Sequence, residues 1–124
     1  GLKEMSENIE AISIVDNLLE HSRIFIFGNG GDEKIYIGSA DLMVRNLDYR
    51  VEVLCPIFDQ DCKQSLMQQF EIYWSDQRKA RIWDKSMKHE YRHKGKDHLS
   101  SQQMMFNFFA NSFELTSNNR TPKK

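Results

Sequence analysis

The sequence predicts an α/β fold, and three observations carry that expectation. Two short apolar runs flank a glycine-rich turn, as in a hairpin. Further along, apolar residues recur at three- to four-residue spacing, as on one face of a helix. Strand-like and helix-like segments also alternate along the chain, so the expected architecture is a mixed sheet of about four strands flanked by α-helices.

Taken in order, Ser6 is placed to cap a helix, with Glu7 in its first turn. Ile9, Ile12, Val15, Leu18 and Leu19 follow at helical spacing, which predicts a first helix ending near Glu20. Ser22 to Phe27 is apolar on alternate positions of both parities, the pattern of a strand buried on two faces. Gly28-Asn29-Gly30-Gly31-Asp32 tolerates positive φ, and Lys34 to Gly38 returns as an antiparallel neighbour. Ser39 to Leu47 has helical composition, with Ser39 as its candidate cap. Arg50 to Leu54 reads as a third strand that stops at the Cys55-Pro56 break. Asp59 is a candidate cap for a helix carrying Cys62, Leu66, Phe70 and Tyr73. Lys79 to Trp83 is the fourth strand candidate, residues 84–97 form a basic, irregular stretch, and Ser100 to Leu115 is a helix apolar over much of its circumference. Residues 1–115 are thus expected to make one domain, with 116–124 a flexible tail.

At 124 residues the chain is long enough for one core and short for an enclosed active site. Seventeen basic and eighteen acidic residues give a net charge of -1, so no global charge draws it to nucleic acid or an anionic membrane. Any anion binding must come from local placement. No apolar run approaches the roughly 20 residues of a membrane span. The first residues, Gly1-Leu2-Lys3, lack an initiator methionine, which predicts a segment of a longer polypeptide. Cys55 and Cys62 lack the close pairs and histidines of a zinc site and are expected to be reduced and partly buried.

Chemistry concentrates between Leu19 and Val53. His21, at the start of a strand, can take or give a proton near neutral pH. Its plainer reading is a helix-end histidine set against the last carbonyls. Gly38-Ser39-Ala40-Asp41 is a small-residue turn leading from a strand into a helix, able to offer donors to a phosphate or simply to make a tight connection. Arg23 and Arg45 carry planar forks of donors suited to a polyanion, whereas Arg50, Arg78 and Arg81 read more naturally as surface residues. Gly28 to Gly31 lacks the following Lys-Ser/Thr of a phosphate loop and reads as a hairpin turn. His89 and His93 have the spacing of a two-ligand metal face. They lack the adjacent glutamate and are crowded by cations, so no metal site is expected there.

The residues His21-Ser22-Arg23, Gly38-Ser39-Ala40-Asp41, Arg45 and Glu52-Val53 resemble a half-site of the phospholipase D superfamily. From Ser6 to Asp59 the chain is similar to the C-terminal catalytic domain of the bacterial polyphosphate kinases, a branch of that superfamily. The resemblance implies a phospholipase D-like half and reversible transfer of the terminal phosphoryl group of ATP to inorganic polyphosphate. It implies His21 as the catalytic residue, facing a phosphorylated histidine of a preceding domain across a shared cleft. His21, Arg23, Arg45 and Ser39 would bind ATP or phosphate. Mg2+ ligands, the nucleophilic histidine and further arginines would lie outside this chain, so the segment alone is expected to be inactive. The same resemblance implies ATP, ADP, polyphosphate and the preceding domains as partners, a homo-oligomeric full-length protein and no nucleic acid. It also implies a cytoplasmic location, leaving peripheral attachment to the inner membrane open.

Two departures bear on this. Arg23 stands where the superfamily has lysine, and Gly28 where it has aspartate. Both count against an ordinary phosphodiesterase, the alternative in which the half-site works as a symmetric dimer. A further alternative is a non-catalytic polyanion-binding module using Arg23, Arg45 and the basic stretch.

Overall fold

The computed structural model describes residues 1, 3–93 and 99–118, with side chains as far as residue 111 in the last helix. The elements run β1 (Ile12–Ile14), β2 (Ile24–Phe27), β3 (Lys34–Gly38), α1 (Val44–Tyr49), β4 (Leu54–Ile57), α2 (Gln60–Trp74), β5 (Ala80–Ile82) and α3 (Ser101–Asn118). The fold is α/β. Its strands are divided between two antiparallel sheets, ordered β1-β5 and β2-β3-β4, rather than gathered into one. The chain forms two compact units, Leu19–Glu71 and Gly1–Leu18 with Ile72–Lys124. Among the described residues no helix is long and apolar enough to cross a membrane.

In the unit Leu19–Glu71, β2 and β3 form the expected hairpin, with Ile24 opposite Ile37 and Ile26 opposite Ile35. The turn between them holds Asn29, Gly30 and Gly31 at positive φ, which explains two of its glycines. Strand β4 pairs with β3 so that Ile57 meets Ile35 and Cys55 meets Ile37. Ile24, Ile26, Ile35, Ile37, Cys55 and Ile57 therefore share one face of the sheet. Ile35, on the central strand, is only 2% exposed. The third strand runs Leu54–Ile57 rather than Arg50 to Leu54, so Pro56 lies inside it. Here it is tolerated because β4 is an edge: the backbone N–H of Ser39 bonds to the Val53 carbonyl at 3.0 Å, and Ile37 and Ile35 continue that bonding parity. Pro56, opposite Tyr36, sits between those pairs and directs its ring nitrogen outward.

Helix α1 starts at Val44, later than expected, with Met43 at its cap position and no side-chain cap bond. Helix α2 starts as predicted, the Asp59 carboxylate accepting from the Cys62 N–H at 2.9 Å. Both cysteines are free and exposed, which corrects the expectation of partial burial. Cys55 is on the edge strand, and Cys62 is in the first turn of α2 beside Asp59, whose carboxylate pushes its thiol pKa up.

The unit formed by the two chain ends departs most from expectation. No helix spans residues 6–20. Ile12 and Ile14 instead pair with Ile82 and Ala80, and Val15 and Leu18 from the anticipated helical stripe are exposed. Ile12-Ser13-Ile14 alternates as a β-branched strand does, and the ladder with β5 outweighs a local three-residue rhythm. The stretch after β5 is irregular as expected, yet it returns to that strand: the Ile82 N–H reaches the Glu90 carbonyl at 2.8 Å and the Arg92 N–H reaches the Ala80 carbonyl at 2.9 Å. Lys94, Lys96 and His98 lie outside the described residues. Helix α3 confirms the predicted last helix and continues to Asn118; residues 119–124 of the anticipated tail lie outside the described residues.

Asp76 organises this unit. It is 0% exposed, and its Oδ1 accepts from the N–H groups of Arg78, Lys79 and Ala80 at 2.9, 2.6 and 3.0 Å. Its Oδ2 accepts from the Ser101 N–H at 2.6 Å, so one carboxylate both enters β5 and caps α3. On the same helix, Gln102 pairs with the backbone of Leu18, donating to its carbonyl at 2.6 Å and accepting from its N–H at 3.1 Å.

Candidate functional site

The site belongs entirely to the unit Leu19–Glu71. His21 is exposed in the segment that enters β2. No helix precedes it, so the helix-end reading of this residue is removed. Arg23, two residues on, folds back toward it. The guanidinium gives Nε–H to Asp41 Oδ1 at 2.8 Å, Nη1–H to the His21 carbonyl at 3.1 Å and Nη2–H to His21 Nδ1 at 3.1 Å. A guanidinium has no acceptor, so His21 Nδ1 receives this bond through its lone pair and the neutral ring carries its proton on Nε2. Three of the five N–H groups of Arg23 are thereby used, leaving two for an anion.

Electrostatics follow the same contacts. The Arg23 guanidinium, chiefly through its hydrogen bond, holds the Asp41 carboxyl below the usual aspartate range, with Arg45 adding to the effect. Asp41 in turn raises the pKa of Arg23. Arg45 is exposed in the first turn of α1.

Behind this row lies a second polar cluster. Ser39 donates its hydroxyl proton to Glu52 Oε2 and accepts from the Val53 N–H at 3.0 Å. Asn46, 3% exposed, donates to Glu52 Oε1 at 2.8 Å. The bonds from Ser39 and Asn46 lower the pKa of Glu52. Ser39 is therefore not an N-cap, and a donor role toward phosphate would require its bond to Glu52 to break. The turn's backbone is also largely occupied, since the N–H groups of Gly38 and Ser39 bond to Arg23 and Val53.

Gly38 is needed where the two clusters meet. A Cβ there would lie 3.1 Å from Leu54 Cδ1 and 3.3 Å from both the Phe25 ring and the Val53 carbonyl oxygen. The carbonyl is fixed by the ladder and cannot yield. Gly38→Ala is expected to cost about 1–3 kcal/mol by overpacking, read as a lower thermal midpoint.

The structure thus brings His21, Arg23 and Asp41 into one bonded row and sets Ser39 and Glu52 in a supporting cluster. Sequence reasoning did not assign roles to Asp41, Glu52 and Asn46, although the first two stand in the quoted motif. His89 and His93 do not share a helix face, because residues 84–93 are irregular; His89 has a φ of 51° and its ring centroid lies 6.4 Å from that of Trp83.

Comparison with known proteins identifies the family. A family model described as polyphosphate kinase C-terminal domain 2 matches residues 1–103. The polyphosphate kinase of Escherichia coli (strain K12) is 44% identical over 114 residues, covering 92% of this chain and 17% of that protein. That of Klebsiella pneumoniae is 43% identical over 113 residues, covering 91% of this chain and 16% of that protein. The crystal structure of polyphosphate kinase from Porphyromonas gingivalis superposes with a TM-score of 0.81 at 36% identity, over 89% of this chain and 17% of that one. The chain therefore spans about a sixth of the length of the curated relatives it matches, and on these matches it belongs to the polyphosphate kinase family, in the region described as C-terminal domain 2.

Proposed function

We propose that this chain supplies part of the active site of an ATP:polyphosphate phosphotransferase, with His21 acting on the transferred or departing phosphate. The observation that carries the reading is the bonded row Asp41-Arg23-His21, which leaves the Nε2–H of an exposed imidazole free to donate. In the proposed reaction an imidazole from a preceding domain forms an N–P bond to the γ-phosphorus of ATP. The bond from that phosphorus to the β,γ-bridging oxygen breaks, and its electron pair stays on what becomes the terminal oxygen of ADP. The phosphoryl group then passes to the end of a polyphosphate chain, freeing the imidazole. Charge developing on phosphate oxygens is what a preorganised donor stabilises. His21 Nε2–H is that donor, and the two unused N–H groups of Arg23 and the exposed Arg45 extend the cationic lining.

Toward magnesium these residues offer little: Asp41 Oδ1 is bonded to Arg23, and both oxygens of Glu52 are engaged by Ser39 and Asn46. On this reading the ion's ligands, like the nucleophile, lie elsewhere in the polypeptide.

The test is ATP-dependent polyphosphate synthesis by the full-length parent with and without His21→Ala, with the 124-residue chain assayed alone. Loss in the variant and inactivity of the chain support the reading. Full activity of the variant returns His21 to an ordinary surface histidine.

A further inference from the structure

We infer that Asp41 is a positioning residue that acts on His21 through Arg23, a role that rests on the reading above for its reaction but not for its geometry. Arg23 has a long stem and would be drawn to any polyphosphate that approached. What opposes this is the Nε–H bond to Asp41 at 2.8 Å. Because the guanidinium is planar and rigid, fixing its Nε edge also fixes the direction of Nη2, 3.1 Å from His21 Nδ1, and of Nη1, 3.1 Å from the His21 carbonyl. Ring and backbone of one residue are thus gripped by one fork, and the fork is held by one carboxylate. Asp41 therefore sets which imidazole nitrogen bears the proton and which way Nε2 faces, without touching the imidazole through a bond of its own.

The pair is partly open to solvent, the Arg23 side chain 21% and that of Asp41 42% exposed. Such a pair adds little to stability. Its loss should therefore be felt at His21 rather than in the melting temperature.

The experiment uses the full-length parent and two measurements: the rate at which diethyl pyrocarbonate carbethoxylates His21, followed by peptide mass spectrometry, and kcat and KM for polyphosphate synthesis. The reagent needs a bare ring nitrogen, and in the wild type that nitrogen is covered by Arg23. Asp41→Ala is expected to raise His21 modification several-fold and to lower kcat roughly tenfold to a hundredfold, with KM for ATP within about twofold. Asp41→Asn should restore most of both, because its amide oxygen still accepts from Nε–H. Arg23→Lys, which cannot bond Asp41 and His21 together, should raise modification as Asp41→Ala does and serves if the alanine variant does not fold. An unchanged modification rate in these variants overturns the inference. The two claims separate cleanly: faster modification with full activity in His21→Ala leaves the positioning geometry standing and removes the catalytic reading. Unchanged modification with an inactive His21→Ala removes the positioning role alone.

Discussion

His21→Gln in the full-length parent is expected to retain far more polyphosphate synthesis than His21→Ala, which should lose about 10²–10³ in kcat, the usual cost of removing one preorganised donor from a developing oxyanion. The contrast follows from the tautomer. With Nδ1 occupied by the Arg23 Nη2–H, the neutral ring offers a hydrogen bond from Nε2, and a glutamine amide offers an N–H from nearly the same place. A residue whose task is to hand over a proton would leave glutamine as impaired as alanine, since an amide cannot donate one. Steady-state kcat for wild type, glutamine and alanine variants therefore distinguishes a donor from a proton carrier. Equal loss in both variants would count against the hydrogen-bonding role.

The largest effect on stability is expected at Asp76. Removing its carboxylate by Asp76→Ala leaves the N–H groups of Arg78, Lys79, Ala80 and Ser101 without their acceptor, those of Ala80 and Ser101 in buried surroundings and the other two half-buried. Each buried donor left unmatched costs about 1–3 kcal/mol, so even with partial relaxation the total should exceed about 3 kcal/mol. A typical domain has only about 5–15 kcal/mol in hand. Urea denaturation followed through Trp74 and Trp83 should show the midpoint falling, and amide exchange should accelerate first at Lys79, Ala80 and Ser101. Asp76→Asn should fall between, because its NH2 group confronts one of those donors. Burial alone would raise the pKa of this carboxyl, but the surrounding N–H groups outweigh burial and hold it below the ordinary aspartate value of 3.8. A depressed native pKa means the contribution is complete above that value and is lost as pH falls through the lower native one. Wild type should therefore lose stability more steeply than Asp76→Asn in that acid window.

How much of this was readable beforehand depended on the distance over which each signal acts. The β2-β3 hairpin and α2 were legible because a glycine turn and the Asp59 cap act within a few residues. The strand at Ile12 was not, because its partner Ile82 is remote in sequence while the competing helical spacing is local. Pro56 misplaced β4 because a proline breaks an internal strand but not the outer side of an edge. At the site, the motif brought out His21, Arg23 and Ser39 as residue types. Their division of labour needed coordinates: Ser39 turns inward to Glu52, and Arg23 spends three donors inside the protein. Asp76 left only the faint trace of an aspartate before a turn, and no local pattern reveals that Ser101 comes back to it.

Pro56 also decides how this sheet can meet other polypeptides. A backbone approaching alongside β4 would find a carbonyl with no donor to match at the centre of a four-residue strand. Stacking of sheets edge to edge, the first step toward fibrous aggregates, is obstructed on that side by the chemistry of one imino acid. The opposite edge, β2, reads Ile-Phe-Ile-Phe and carries no such block.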